Sequence, residues 1–264
     1  MKHSTSFRKK FSIILMIAFC SFQMVNAATL NLTLFLQGYY VGPGMNSPLF
    51  NLQLSATNYN VDSIDVKLLN PTSYVVVESI RVMLHSDGTC QAVFTNGVVG
   101  NSYYIDICHR NTIQTMSKFP VLLNMITSYN FSTAAAKAFG DNMIEVSPGV
   151  WAFYTGDLNH DCVIDGADFL ILDPDIQAGA GGYRCTDLNG DGGVDGLDAL
   201  VIDPNIQNGV GCSFPGPIPT CSSCGGDPCT NANIDDGNAC TTDACNTMTG
   251  AITHTAVNVN DNNA

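Results

Sequence analysis

Leu30, Leu32, Leu34 and Leu36 alternate with Asn31, Thr33, Phe35 and Gln37. A period of two gives a strand with one buried face. Similar runs span Ser63–Leu69, Tyr74–Leu84, Cys90–Phe94, Ser102–His109 and Val121–Ile126. Gly42-Pro43-Gly44, Asn70-Pro71, Asp87-Gly88 and Asn96-Gly97 punctuate them as turns. Short strands at regular turn spacing predict an all-β sandwich over residues 28–153, with one helical turn at Ala134–Ala138. Two other patterns flank this region. Phe11–Phe22 is apolar, follows Lys2, Arg8, Lys9 and Lys10, and precedes Val25-Asn26-Ala27. That order predicts a secretory signal peptide over residues 1–27. The run is shorter than the ~20 residues that span a bilayer, and no other run is longer, so no transmembrane segment is expected.

Residues 154–212 repeat themselves. Asp157–Tyr183 aligns with Asp187–Ser213 at an offset of 30 residues, with about half the positions identical. Oxygen-bearing side chains fall at loop positions 1, 3, 5, 9 and 12 of each copy. Position 7 supplies a backbone carbonyl in calcium loops of this spacing. The expected ligands are Asp157, Asn159, Asp161, Val163, Asp165 and Asp168, then Asp187, Asn189, Asp191, Gly193, Asp195 and Asp198. Two Ca2+ ions are the expected cofactors, because calcium takes six to eight oxygens whereas magnesium retains its waters. Without an ion the carboxylates of one loop repel by about 4 kcal/mol per pair at 4 Å, so the module is expected to fold only with calcium. Apolar Ile164 and Val194 at position 8 can pack loop against loop. Short helices are expected over Phe169–Leu172 and Ala199–Ile202, limited by Pro174 and Pro204. Position 6 calls for a left-handed residue. Gly192 fits, whereas Cys162 costs about 1–2 kcal/mol, so the first site is expected to be weaker unless a disulfide fixes that turn.

The duplicated loop with one following helix resembles type I dockerin. The resemblance implies a small α-helical calcium-loop pair that docks onto a cohesin-like partner. Positions 10 and 11, usually Ser or Thr in that family, are Gly166-Ala167 and Gly196-Leu197 here. Residues 213–220 are Pro-rich and read as a semi-rigid linker. In residues 221–264, the run from Asp235 through Cys240, Cys245, Gly250 and His254 resembles the cysteine-rich repeat of slime-mould extracellular matrix proteins. Asp261-Asn262-Asn263-Ala264 restarts that pattern, which predicts a truncated, disulfide-rich irregular repeat array. Tyr103–Ser117 resembles β-modules that precede such calcium repeats in bacterial surface proteins.

Composition narrows the function. The net charge is −13, and only Glu78 and Glu145 among the acidic residues are glutamates. Eleven aspartates lie between Asp157 and Asp203. Nothing here could neutralise phosphates, which excludes nucleic acid and an anionic membrane surface. Of eleven cysteines, ten remain beyond the signal peptide. In an exported chain they read as disulfides, with Cys90–Cys108 and Cys162–Cys185 favoured by proximity and the connectivity open.

Several residues carry two readings. His109-Arg110-Asn111 is either catalytic or a strand end with a satisfied histidine. Asp62 and Asp65 are either a glycosidase pair or solvated. Cys221, Cys224, Cys229, Cys240 and Cys245 bind zinc or form disulfides. Tyr39, Tyr40 and Trp151 form a sugar platform or pack in the β-domain. His160, at loop position 4, is expected to point outward. The reading that follows is a non-catalytic secreted or cell-surface calcium-binding modular protein, structural or adhesive, with an extracellular protein or polysaccharide as partner. The alternative is a dockerin-type docking subunit for a cohesin-like partner, with carbohydrate binding.

Overall fold

The computed structural model describes residues 27–96, 98–221, 241–245 and 252–256. Residues 1–26 of the expected signal peptide and most of the cysteine-rich tail lie outside the described residues. The chain runs β1 (Ala28–Thr33), α1 (Pro48–Asn51), β2 (Asn60–Leu69), β3 (Val76–His85), β4 (Thr89–Phe94), β5 (Ser102–His109) and β6 (Thr112–Met116). It continues with β7 (Val121–Leu122), β8 (Ile126–Asn130), β9 (Ile144–Ser147), β10 (Val150–Ala152), α2 (Gly166–Ala178), α3 (Gly196–Gln207), β11 (Thr241–Cys245) and β12 (Ile252–Ala256). The Ala134–Ala138 turn is a short 3-10 helix at Ala135–Lys137.

The β region is a sandwich. One sheet has the order β4-β1-β8, and the other the order β3-β2-β5-β6 with β7 beside β5. β1 pairs antiparallel with β4 and parallel with β8. Between the sheets pack Leu30, Leu32, Ile64, Val66, Leu68, Phe94, Ile105, Ile107, Phe131 and Phe153. β1 keeps the expected alternation, with Ala28, Leu30 and Leu32 buried. β5 does not: every residue after Ser102 is buried. Its inner face meets the sandwich core, and Tyr104, Asp106 and Cys108 on the outer face lie under the segment that follows the calcium-type repeat. Phe214 packs with Leu69, Tyr104 and Met116. The Thr220 carbonyl accepts a 2.6 Å hydrogen bond from Lys67 Nζ. Cys221 is bonded to Cys108. The Pro-rich stretch is thus a strap held at both ends across the sheet.

The disulfides differ from the proximity pairs. Cys108 bonds Cys221, Cys162 bonds Cys212, and Cys90 is a buried free thiol pushed up to about 12 by desolvation. Cys90 and Cys108 sit on different sheets, which sequence proximity could not reveal. β6, β9 and β10 were not marked by alternation: β6 is buried on both faces, and the other two are short.

The prolines do not limit the helices. α2 and α3 run through Pro174 and Pro204. Each proline lies on the exposed side, and each frees the carbonyl of Leu170 or Leu200, residues that are themselves 74% and 67% exposed. Water can satisfy those carbonyls, which lowers the cost of a proline inside a helix. Among the described residues, no helix is long and apolar enough to cross a membrane.

Candidate metal centre

Each oxygen-rich loop is closed by the carboxylate at position 12. Asp168 Oδ1 accepts from the backbone N–H of Leu158 and Asn159 at 2.8 and 3.1 Å, and its Oδ2 from Asp165 N–H at 2.9 Å. Asp198 does the same with Leu188, Asn189 and Asp195, at 2.7, 3.1 and 2.8 Å. Asp165 and Asp195 each cap the following helix, and with Asp168 and Asp198 each forms a reciprocal capping box. At positions 3 and 5, Asn159 Oδ1 accepts from Asp161 N–H and Asp161 Oδ1 from Val163 N–H. The same bonds recur from Asn189 to Asp191 to Gly193. These short-range bonds curl both loops alike, so the spacing seen in the sequence is realised as two copies of one geometry.

The carboxylates at positions 1 and 12 of both loops are buried. Asp157 is 1% exposed, and its Oδ1 has no hydrogen-bond partner. Burial, then the neighbouring Asp168 and Asp161 carboxylates, push Asp157 up to about 7, against backbone N–H bonds from Cys162 and His160. Burial likewise pushes Asp187 up to about 7; Arg110 opposes this and Asp198 adds to it. A buried, under-coordinated carboxylate facing others is a costly arrangement on its own. A hard divalent cation relieves all of these costs, and an all-oxygen donor set suits calcium. The donor set therefore fits that ion.

The two loops exchange backbone pairs with each other's trailing segments. Ile164 N–H donates to Val210 O, and Val194 N–H to Ala180 O, both at 2.8 Å. Between them Leu158, Ile164, Leu172, Leu188, Val194, Ile202 and Val210 form a second core, which also takes in Ile113 from β6. Ile164 and Val194 thus pack as their position 8 required.

The second loop also rests on the β region. Its carbonyls at Asp187, Asn189 and Gly190 accept from the side-chain amides of Asn111, Asn46 and Asn51 at 3.1, 3.0 and 3.0 Å. A Cβ at Gly38 would overlap the Leu188 carbonyl oxygen, so only glycine permits this approach. These asparagines lie up to 143 residues away in sequence; nothing in the local pattern marks Asn46 or Asn51, and the His109-Arg110-Asn111 run points to a different role for Asn111.

Beneath the loops lies a buried polar cluster. Asp62 accepts from Arg110 Nε at 2.8 Å, lies 3.2 Å from His109 Nε2, and also accepts from the hydroxyls of Tyr39 and Tyr183. Burial alone would raise its pKa, but Arg110 and His109 outweigh it and hold Asp62 well below the usual carboxylate range. Asp62 is therefore not solvated. A register shift between Asn60 and Asp62 turns both Val61 and Asp62 inward. Nor is Asp65 solvated: it makes a bidentate pair with Arg81 at 2.7 and 2.8 Å. His160 does not point outward. It lies in the field of His109, and burial pushes it down to about 4. Tyr39 is fully buried, and Tyr40 and Trp151 pack against the sandwich core.

A family model described as a Dictyostelium (slime mold) repeat matches residues 233–257, the span that contains the β11–β12 hairpin. No curated protein matches this sequence. Among solved structures, a chain from a type II cohesin–X-dockerin complex of Acetivibrio cellulolyticus aligns at 14% identity with a TM-score of 0.42, over 68% of this chain and 95% of that one. By its own structure the chain is a β-sandwich followed by two loop–helix units, with a tail similar to the slime-mould repeat.

Proposed function

We propose that this is a non-catalytic, exported modular protein of structural or adhesive role, whose repeat over residues 154–212 binds two calcium ions. The observation that carries the reading is the buried, unpartnered Oδ1 of Asp157 inside a loop whose geometry recurs at Asp187. When bound, calcium would supply the positive charge that the loop carboxylates lack. The chain's own residues set the cage. Asp168 and Asp198 draw the loop ends together, Asp165 and Asp195 start the helices, and Asn46, Asn51 and Asn111 hold the second loop from outside. The signal-peptide pattern and the disulfides support export.

Calorimetric titration of the full chain with calcium tests this. Two ions bound, with a rise in melting temperature that a chelator reverses, is the expected result. No binding at millimolar calcium would overturn it.

A second reading has its own observation. Leu170, Leu200 and Leu197 are 74%, 67% and 55% exposed on α2 and α3, and the first two are equivalent positions of the repeat. Exposed apolar residues on paired helices suit a protein partner of the cohesin type. Capture by immobilised cohesins in calcium but not in chelator would favour this docking role over the purely structural one.

A further inference from the structure

The repeat exchanges one chemical device between its halves. At loop position 6 both residues have positive φ, +73° at Cys162 and +94° at Gly192. Each is paired with the segment after the other half's helix: Cys212 N–H donates to Cys162 O at 2.8 Å, and Gly182 N–H to Gly192 O at 3.2 Å. In the repeat alignment Cys162 matches Gly192, and Cys212 matches Gly182. The second loop therefore uses a glycine pair where the first uses a disulfide. Glycine occupies the left-handed region freely, whereas cysteine does not. The Cys162 N–H also points at the Asp157 carboxylate, so the turn at Cys162 helps set the first ligand.

We infer that the Cys162–Cys212 disulfide is the positioning element of the first calcium loop, equivalent to the glycine pair of the second, and that thiol redox state sets that loop's calcium affinity. This rests on the calcium reading above. Both cysteines are partly exposed, whereas Cys108 of the Cys108–Cys221 bridge is buried. An added dithiol can therefore reach the bond. It would deliver two electrons and two protons to form two thiols, and would itself close to a cyclic disulfide. The freed Cys162 would then hold its left-handed turn without a clasp, and the loop would relax toward a backbone that no longer presents Asp157.

The test uses the full chain carrying Asp191→Ala, which removes a ligand from the second loop so that calcium titration reads the first. Adding Cys212→Ser is expected to weaken calcium binding by about five- to thirtyfold, the equivalent of about 1–2 kcal/mol for an unclasped non-glycine turn. Replacing the pair with glycines, Cys162→Gly with Cys212→Gly, is expected to recover most of that loss. If Cys212→Ser titrates like its parent, or if the glycine pair is as weak as Cys212→Ser, the inference falls. A second readout needs no variant. By reciprocal linkage, calcium should shift the Cys162–Cys212 thiol–disulfide equilibrium of the unaltered chain toward the disulfide in a dithiol redox buffer, read by mass-resolved thiol labelling. An unchanged equilibrium with calcium bound counts against the inference. Absence of any calcium binding by the unaltered chain would instead sink the calcium reading itself.

Discussion

Asp62 and Asp106 are both fully buried carboxylates, and their surroundings drive them in opposite directions. Asp62 faces Arg110 and His109 and stays ionised. Asp62→Asn would leave the largely buried Arg110 guanidinium without its carboxylate, so a loss of up to about 3–5 kcal/mol is expected in denaturant unfolding. Asp106 takes a 2.6 Å hydrogen bond from Gln114, and burial pushes it up to about 7 despite the attraction of Lys67. Its folded pKa thus lies above the unfolded value of about 3.9. The stability it contributes is complete below that value and is lost as pH rises through about 7. In saturating calcium, which on the proposed reading holds the loop carboxylates ionised, the denaturation midpoint should fall between pH 5 and pH 8. Asp106→Asn should flatten that fall, and identical slopes would show that Asp106 is not the titrating group. The sequence marked Asp62 as a carboxylate of interest but did not reveal its burial, because the inward turn comes from a bulge in β2. Asp106 carried no signal at all, since its strand is buried on both faces and its partners Gln114 and Lys67 come from neighbouring strands.

At the scale of elements, the strands and loops that obey a simple period were legible. β5 was read with its observed ends, and β2, β3 and β4 to within a few residues. Both oxygen-rich loops curl alike, because their hydrogen bonds are local and the spacing of Asp and Asn specifies them. The helices were underestimated, since a proline inside a helix is tolerated only when its freed carbonyl meets water, and that depends on the neighbours. Pro174→Ala should therefore raise stability by up to about 3 kcal/mol by restoring the N–H to the Leu170 carbonyl. Thermal unfolding of the calcium-loaded protein measures this, and a lower melting temperature would show that the proline serves packing instead.

At the scale of the molecule, the repeat and the sandwich are built into each other. Ile113 belongs to the repeat's core, three asparagines hold the second loop, and Asn205 reaches Gln37 and the Thr155 carbonyl at 2.7 Å each. An excised 154–212 fragment loses all of these partners. It should bind calcium more weakly and melt lower than the same residues in the full chain, and equal values would show that the contacts carry no coupling. Gly38→Ala tests the same join from the other side. The added methyl meets a backbone oxygen, so a loss of about 1–3 kcal/mol or more is expected in the full chain. A melting curve unchanged by that substitution would mean that the loop does not sit against Gly38 in solution.

The sequence by itself determined what depends on near neighbours: the alternating strands, the two oxygen-rich loops, their helix caps, and the polar, cysteine-rich tail. These follow from the side-chain period and from hydrogen bonds that reach only a few residues along the chain. The tertiary structure alone decided which cysteines meet, that Cys90 stays free, and that Phe214–Cys221 roofs the outer face of β5. It also decided that the second loop is held by asparagines from the β region. Those choices are made by chain crossings between segments far apart in sequence, where burial and proximity come from packing and no local periodicity records the partner.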